Sequence, residues 1–249
     1  MPLNAETCLK GGVFSRACVD VVKLRKYASN FTALVSPSVN PARLRSCVDI
    51  YRALRRGGGG ESTFIIGETV AEIGLFFGSD DGNTESVAYR IQSRFGSGVC
   101  DVYDISNVTQ LEFTEHSKII LGIPTWDFGQ IQSDWEDFWG DISEVDFSGV
   151  KVALFGLGDQ FGYGDFFLDA MGMLHDLVQE RGAKIVGHWP TGDYEFDASK
   201  AQIPGEDLFV GLGIDEDQQS EQTAERLNLW CQQLAEDFGI ASPVEKLDD

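Results

Sequence analysis

The 249-residue chain is short of the residue types that usually advertise chemistry. It has three histidines (His116, His175, His188) with no shared ligand spacing. Its five cysteines (Cys8, Cys18, Cys47, Cys100, Cys231) are scattered, odd in number and never arranged as C-x-x-C. That argues against a disulfide scaffold, a zinc site and an iron–sulfur cluster. No uninterrupted apolar run approaches the ~18 residues that would cross a bilayer. Basic residues are scarce too, with 19 Lys and Arg against 40 Asp and Glu and a net charge of −21.

The shortage of positive charge is uneven. Residues 1–60 hold ten basic side chains and only Glu6, Asp20 and Asp49 as acids, whereas the rest holds nine basic against 37 acidic ones. A domain so acidic is repelled by nucleic acid and anionic membranes and attracted to basic proteins. The first 60 residues carry Ser and Ala, sustain no apolar period and end in Arg55-Arg56-Gly57-Gly58-Gly59-Gly60. This composition predicts a disordered organellar transit peptide with the glycine run as a flexible junction. A retained basic arm is the alternative; a secretory signal fits worse, because an apolar core is missing. The expected division is residues 1–60 as this segment, 61–71 as a linker, 72–240 as the folded domain and 241–249 as an acidic tail.

What the chain does have is a strong pattern centred on Ile73–Glu85. The apolar run Ile73–Phe77 stops at Gly78-Ser79-Asp80-Asp81-Gly82-Asn83-Thr84, and Val87, Ile91 and Phe95 follow at a spacing of four. That reads as a buried strand, a tight loop and an amphipathic helix. Such a loop gathers free N–H groups and the positive end of a helix dipole, which suits an anion, most often phosphate. Strands are predicted over Ile73–Phe77, Val99–Ile105, Lys118–Ile123 (ending at Pro124), Val150–Phe155, Lys184–Trp189 and the short run Leu208–Leu212. Helices are predicted over Thr84–Phe95, Ser133–Ile142, a stretch marked by Phe166, Ala170, Leu174 and Val178 that ends at Gly182, and Leu227–Phe238. Strands apolar throughout, alternating with helices, mean a parallel sheet covered on both faces. Ligands then bind at the carboxyl ends of the strands.

Three loops share that edge: Ser79–Thr84, Pro124–Gly129 and Gly156–Asp165. They combine an anion pocket with two loop aromatics, Trp126 and Tyr163, and so favour a planar aromatic ligand bearing a phosphate. The glycines of the third loop run G-x-G-x-x-x-G, which disfavours a dinucleotide turn.

From about Ile73 to Phe238 the chain resembles a flavodoxin of the long-chain kind. The resemblance rests on Pro124-Thr125-Trp126, Gln132-Ser133-Asp134-Trp135-Glu136, Gly158-Asp159-Gln160-Phe161-Gly162-Tyr163 and Asp215-Glu216-Asp217-Gln218-Gln219-Ser220. It implies a flavodoxin-like, three-layer, doubly wound α/β fold with a five-stranded parallel sheet in the order 2-1-3-4-5. An insertion between Trp189 and Leu208 would split the last strand. It also implies FMN as cofactor. By matching position, Ser79, Asp80, Asp81, Gly82, Asn83 and Thr84 take the phosphate. Pro124, Thr125, Trp126, Asp127, Phe128, Gly129, Gly158, Asp159, Tyr163 and Asp165 surround the isoalloxazine, which Trp126 and Tyr163 sandwich. The family's phosphate loop reads T-x-T-G-x-T, and here Asp81 stands where a hydroxyl is usual. A like charge ~5 Å from the phosphate, at an effective dielectric near 20, costs on the order of 3 kcal/mol.

The implied function is that of a low-potential one-electron carrier, not an enzyme. The implied partners are basic redox proteins, photosystem I as donor and ferredoxin–NADP reductase as acceptor, met by a monomer in the plastid stroma. Mitochondrial or cytoplasmic residence is the alternative. A rival reading is an FMN-dependent NAD(P)H:quinone reductase on the same fold. A receiver-type signalling module would lack the paired aromatics.

Overall fold

A computed structural model describes residues 71–240. The chain divides into a unit ending at Gly67 and a second from Glu68, and all described residues belong to the second. The expected transit segment, residues 61–70 of the expected linker and the acidic tail over residues 241–249 lie outside the described residues.

The order of elements is β1 (Ile73–Phe77), α1 (Asn83–Phe95), β2 (Cys100–Asp104), α2 (Gln110–Phe113), β3 (Lys118–Trp126), β4 (Gln130–Ile131), α3 (Ser133–Ile142), β5 (Lys151–Leu157), α4 (Asp169–Glu180), β6 (Lys184–Ile185), β7 (Trp189–Pro190), β8 (Leu208–Phe209), β9 (Leu212–Ile214) and α5 (Thr223–Phe238). Strands run in the order β2-β1-β3-β5-β6, all parallel, with β9 continuing beside β5 where β6 stops. This is the expected order 2-1-3-4-5, its fifth strand supplied in two pieces. Alternation of side chains then makes three layers. Phe76, Ile119, Leu121, Ile123, Val152 and Leu154 enter one core with α3 and α4. Leu75, Phe77, Ile120, Ala153 and Phe155 enter the other with Val87 and Ile91 of α1 and Leu227, Trp230 and Leu234 of α5.

Four elements differ from expectation. The strand expected over Lys184–Trp189 pairs with β5 only at Lys184–Ile185 and is broken by Gly187, left-handed at φ 77°, and the run Leu208–Leu212 divides between the hairpin strand β8 and the sheet strand β9. Pro124 does not end β3, which continues to Trp126 and turns back into β4. The last β1 partner is Gly122, opposite Phe77, and Gly122 turns its carbonyl to Gly78. Pro124 faces that same side two residues later, where no strand remains to need its missing N–H. Phe166 does not open α4. It lies in a single turn of 3₁₀ helix, and Leu168, left-handed at φ 61°, separates that turn from Asp169.

The insertion returns as a β7–β8 hairpin capped by an aromatic cluster of Phe167, Tyr194, Phe196 and Phe209. Cys100 and Cys231 are buried, free thiols, and burial pushes both up, Cys231 to about 12.

At the opposite end of the sheet, Ala71 is already tied into the domain. Its carbonyl takes a hydrogen bond from buried His116 at 3.1 Å. Only an N–H can face a carbonyl, so Nδ1 carries the proton, and in the neutral ring Nε2 is left to accept from the Tyr103 hydroxyl at 3.3 Å. Burial holds His116 below its ordinary value of 6.5. The folded state therefore binds fewer protons than the unfolded chain in acid. The stability that His116 contributes is fully present above 6.5 and is lost as pH falls through 6.5 toward the folded value. Urea midpoints between pH 5 and 7 should fall with acid more steeply in the parent chain than in His116→Gln.

Candidate functional site

β1, β3 and β5 are parallel, so the loops that follow them emerge at one edge. The first is wound tightly. Gly82 adopts φ 89°, which lets the chain reverse into α1, and its N–H donates to Ser79 Oγ at 3.0 Å. Asp81 Oδ1 accepts from the Asn83 N–H at 3.0 Å and Oδ2 from Asn83 Nδ2 at 2.8 Å, so an internal carboxylate sits at the helix N-terminus. The Thr84 hydroxyl is buried and meets no partner among the described residues. An anion held on this loop would give it an acceptor. Ser79 uses only its oxygen as an acceptor toward Gly82, which leaves its proton to donate.

Behind the loop stands Gln132, which is 1% exposed and was used in the sequence only as part of a motif. Its Nε2 donates to Asp80 at 2.9 Å and to Asp134 at 2.7 Å, while its Oε1 accepts from the Trp135 N–H at 3.2 Å. It thus caps α3 and braces the anion loop at once. No local signal distinguishes it, because Asp80 is 52 residues away.

The second loop is the β3–β4 hairpin, closed by Asp127 at φ 44° and Gly129 at φ 86°. Trp126 (36% exposed) and Phe128 (71%) stand out from it. Thr125, Pro124 and Gly129 serve as scaffold here. Thr125 Oγ1 accepts from the Ala170 N–H at 3.2 Å, Pro124 is buried in the strand, and Gly129 is pressed on Asp169, whose Oδ2 would lie 2.8 Å from an added Cβ.

The third loop is held by Asp159, whose Oδ1 accepts from the N–H groups of Phe161 (3.0 Å) and Gly162 (2.8 Å). Gly158 has room for little else, since an added Cβ would come 3.2 Å from Phe167. Tyr163 is 43% exposed and Asp165 points to solvent. Phe128 meets Tyr163 edge-on at 6.3 Å and Phe166 at 5.8 Å, so the second and third loops touch. The structure therefore presents Trp126 and Tyr163, both exposed, on two loops in contact.

A fourth loop, Asp215–Ser220, completes the edge. Asp215 is fully buried and satisfies its carboxylate with four donors: Gln160 N–H (3.0 Å), Gln160 Nε2 (2.8 Å), Asp217 N–H (3.1 Å) and Gln218 N–H (2.9 Å). Gln218 Nε2 reaches Asp159 at 3.2 Å. Partial burial and the nearby Asp159, Asp215 and Asp81 carboxylates push Asp217 above the usual carboxylate value. Beneath lies Arg226, 4% exposed, its guanidinium 4.1 Å from the Tyr194 ring centroid. Its Nη2 donates to Gln219 and Gln222, both at 2.7 Å, and Nη1 is buried without a partner among the described residues. Arg226 pins the fourth loop to the insertion, and sequence spacing gives no hint of it.

A five-stranded, doubly wound sheet with an anion loop after its first strand and exposed aromatics after its third and fourth defines a class of proteins that bind a phosphorylated planar ligand. Comparison with known proteins narrows the class. The family model described as Flavodoxin matches residues 75–230. The flavodoxin of Klebsiella pneumoniae is 51% identical over 171 residues, covering 69% of this chain and 97% of that protein. Flavodoxin 1 of Escherichia coli is 49% identical with the same coverage. The flavodoxin of Picosynechococcus is 47% identical over its whole length. Among solved structures, Fusobacterium nucleatum flavodoxin bound to flavin mononucleotide matches with a TM-score of 0.63 and 27% identity, over 67% of this chain and 98% of that one. The chain belongs to the flavodoxin family.

The brace behind the anion loop gives a direct test. An added Cβ at Gly78 would overlap Gln132 Oε1 and come 2.6 Å from buried Trp135 Cδ1. Gly78→Ala should cost about 1–3 kcal/mol of stability in a urea melt, the usual cost of overpacking.

Proposed function

We propose that the chain binds FMN at the four-loop edge and carries single electrons between protein partners. The observation that carries the reading is alignment, at 47–51% identity, with 97–100% of the length of known flavodoxins. Flavodoxins are electron-transfer proteins rather than enzymes. The residues fit the cofactor: Thr84 lacks an acceptor that a phosphate would supply, and Trp126 and Tyr163 offer exposed rings for a planar group. When bound, FMN supplies the redox chemistry, and the protein adjusts which oxidation state is favoured.

On this reading the Ser79 and Thr84 hydroxyls would hold the phosphate, with those loop N–H groups not already given to Ser79 and Asp81. Trp126 and Tyr163 orient the ring and exclude water from its faces. Asp127, left-handed at the hairpin tip, presents main-chain atoms to the ring edge. Asp159 keeps the third loop closed. The surrounding acids disfavour added negative charge on the ligand, which lowers the potential at which the last electron enters.

The finer reading is a long-chain carrier of a plastid, with photosystem I as donor and ferredoxin–NADP reductase as acceptor. The insertion over residues 189–209, the basic composition of residues 1–60 and the acidic composition of the remainder support it.

Protein purified from cells should be yellow, and heat extraction should release FMN. Finding FAD, or no flavin after added FMN, would refute the reading. Asp81 is exposed and engaged with Asn83, so water screens much of its repulsion toward a phosphate. Asp81→Thr should therefore tighten FMN by about 5- to 10-fold in a fluorescence titration, equivalent to ~1 kcal/mol.

Partner choice has its own measurement. Electron transfer to a basic reductase should slow as salt shortens the Debye length from ~30 Å at 0.01 M to ~10 Å at 0.1 M. Neutralising exposed Asp127 or Asp165 should slow it more than neutralising Glu236 on α5. A rate insensitive to salt would assign the acidic surface to solubility alone.

A further inference from the structure

Beside the third loop lies an open cavity of about 310 Å³, lined by Gln160, Phe161, Glu195, Phe196 and Asp197. Its one buried lining residue, Gln160, has its amide already engaged: Nε2 is given to Asp215, and Oε1 accepts from the Glu195 N–H at 2.7 Å. Two of the cavity's five lining residues are aromatic. Phe196 is half-buried and locked against Phe209 (5.2 Å) and Phe167 (5.7 Å), while Phe161 is 61% exposed. Glu195 and Asp197 also line the cavity, both are exposed, and their carboxylates make no hydrogen bond or ion pair among the described residues. Both backbones are nevertheless fixed, Glu195 by Gln160 and Asp197 by donation of its N–H to Gly164 O at 3.0 Å.

We propose that this cavity seats an arginine side chain presented by a basic protein partner. The guanidinium is flat and weakly hydrated, so its face stacks on aromatic rings, and its edge presents a fork of N–H donors that two carboxylates can accept. An anion would be repelled. A neutral aromatic guest would strip water from both carboxylates without replacing it. A lysine ammonium brings the charge but neither the planar face nor the fork. No group of three His, Cys, Asp or Glu among the described residues is placed to hold a metal, so an inorganic cation is the poorer guest. The acidic surplus outside residues 1–60 attracts basic partners to the domain. Glu195, Phe196 and Asp197 belong to the insertion and Phe161 to the third loop, so the insertion adds an anchor point next to the site where electrons would leave.

The proposal rests on the reading of the chain as a carrier that meets proteins, and its test reads arginine binding separately from flavin binding. The FMN-loaded, ¹⁵N-labelled full chain is titrated with N-acetyl tetra-arginine amide, with the tetra-lysine and tetra-citrulline peptides in parallel. Expected are amide shifts centred on Phe161 and Glu195–Asp197, arginine at least ~3-fold tighter than lysine, and no binding of citrulline. Glu195→Gln with Asp197→Asn should weaken arginine binding by about 10-fold, and Phe161→Ala by about 3-fold, with FMN affinity unchanged. The paired control Glu225→Gln with Glu236→Gln should change it less than 2-fold. Shifts spread over the whole acidic surface, equal binding of lysine, or a double variant no weaker than its control would overturn the proposal. Arginine-dependent shifts at these residues in a chain that refuses FMN would support it while refuting the flavin reading.

Discussion

Burial of both sheet faces is the constraint from which the rest of the molecule follows. Leu75 and Phe77 turn into one core and Phe76 into the other, and Ile119, Ile120 and Leu121 divide in the same way. Each such side chain removed from water is worth about 1.5–3 kcal/mol, so no central strand position can be given to a charge. Polar function is displaced to the strand ends, where the chain leaves the sheet. Because the strands are parallel, the ends of β1, β3 and β5 deliver their loops to the same place. A stiff apolar slab thus fixes loops that carry no regular structure of their own.

Those loops are held by buried polar groups whose partners lie far along the chain. Gln132 joins α3 to the anion loop, Asp215 collects four donors from two loops, and Arg226 joins α5 to the insertion through Tyr194. Each is strong because water is excluded around it, and each is costly to leave half-satisfied. The result is a set of loops tied to one another and to the sheet by buried side chains rather than by regular structure.

This division explains what could be read from sequence. Apolar runs and four-residue spacings are local, so β1, α1, α3 and α5 came out within a residue or a few, as did the parallel order and the three loops. The first loop and the two exposed aromatics, Trp126 and Tyr163, could be singled out because the residues of each loop are contiguous. Errors arose where a local rule met a tertiary exception. Pro124 looked like a strand end, yet β3 had already lost its neighbour on that side. Phe166 kept the helical spacing of Ala170 and Leu174 through a 3₁₀ turn and a left-handed Leu168. Gln132 and Arg226 were silent because nothing within a few residues of either reports its partner.

The split edge strand has an arithmetic of its own. Ile185 lies opposite Val152, and the Val186 N–H reaches Val152 O; on the far side of the insertion, Leu212 lies opposite Phe155. Joined directly, Val186 and Gly211 would fall opposite Ala153 and Leu154, and the ladder would run on without a slip. Residues 187–210 are thus an excursion that leaves and rejoins the sheet in phase. The segment can therefore vary in length without moving any β5 side chain to the other face, while its own Tyr194 and Phe209 stay committed to the core they help to close.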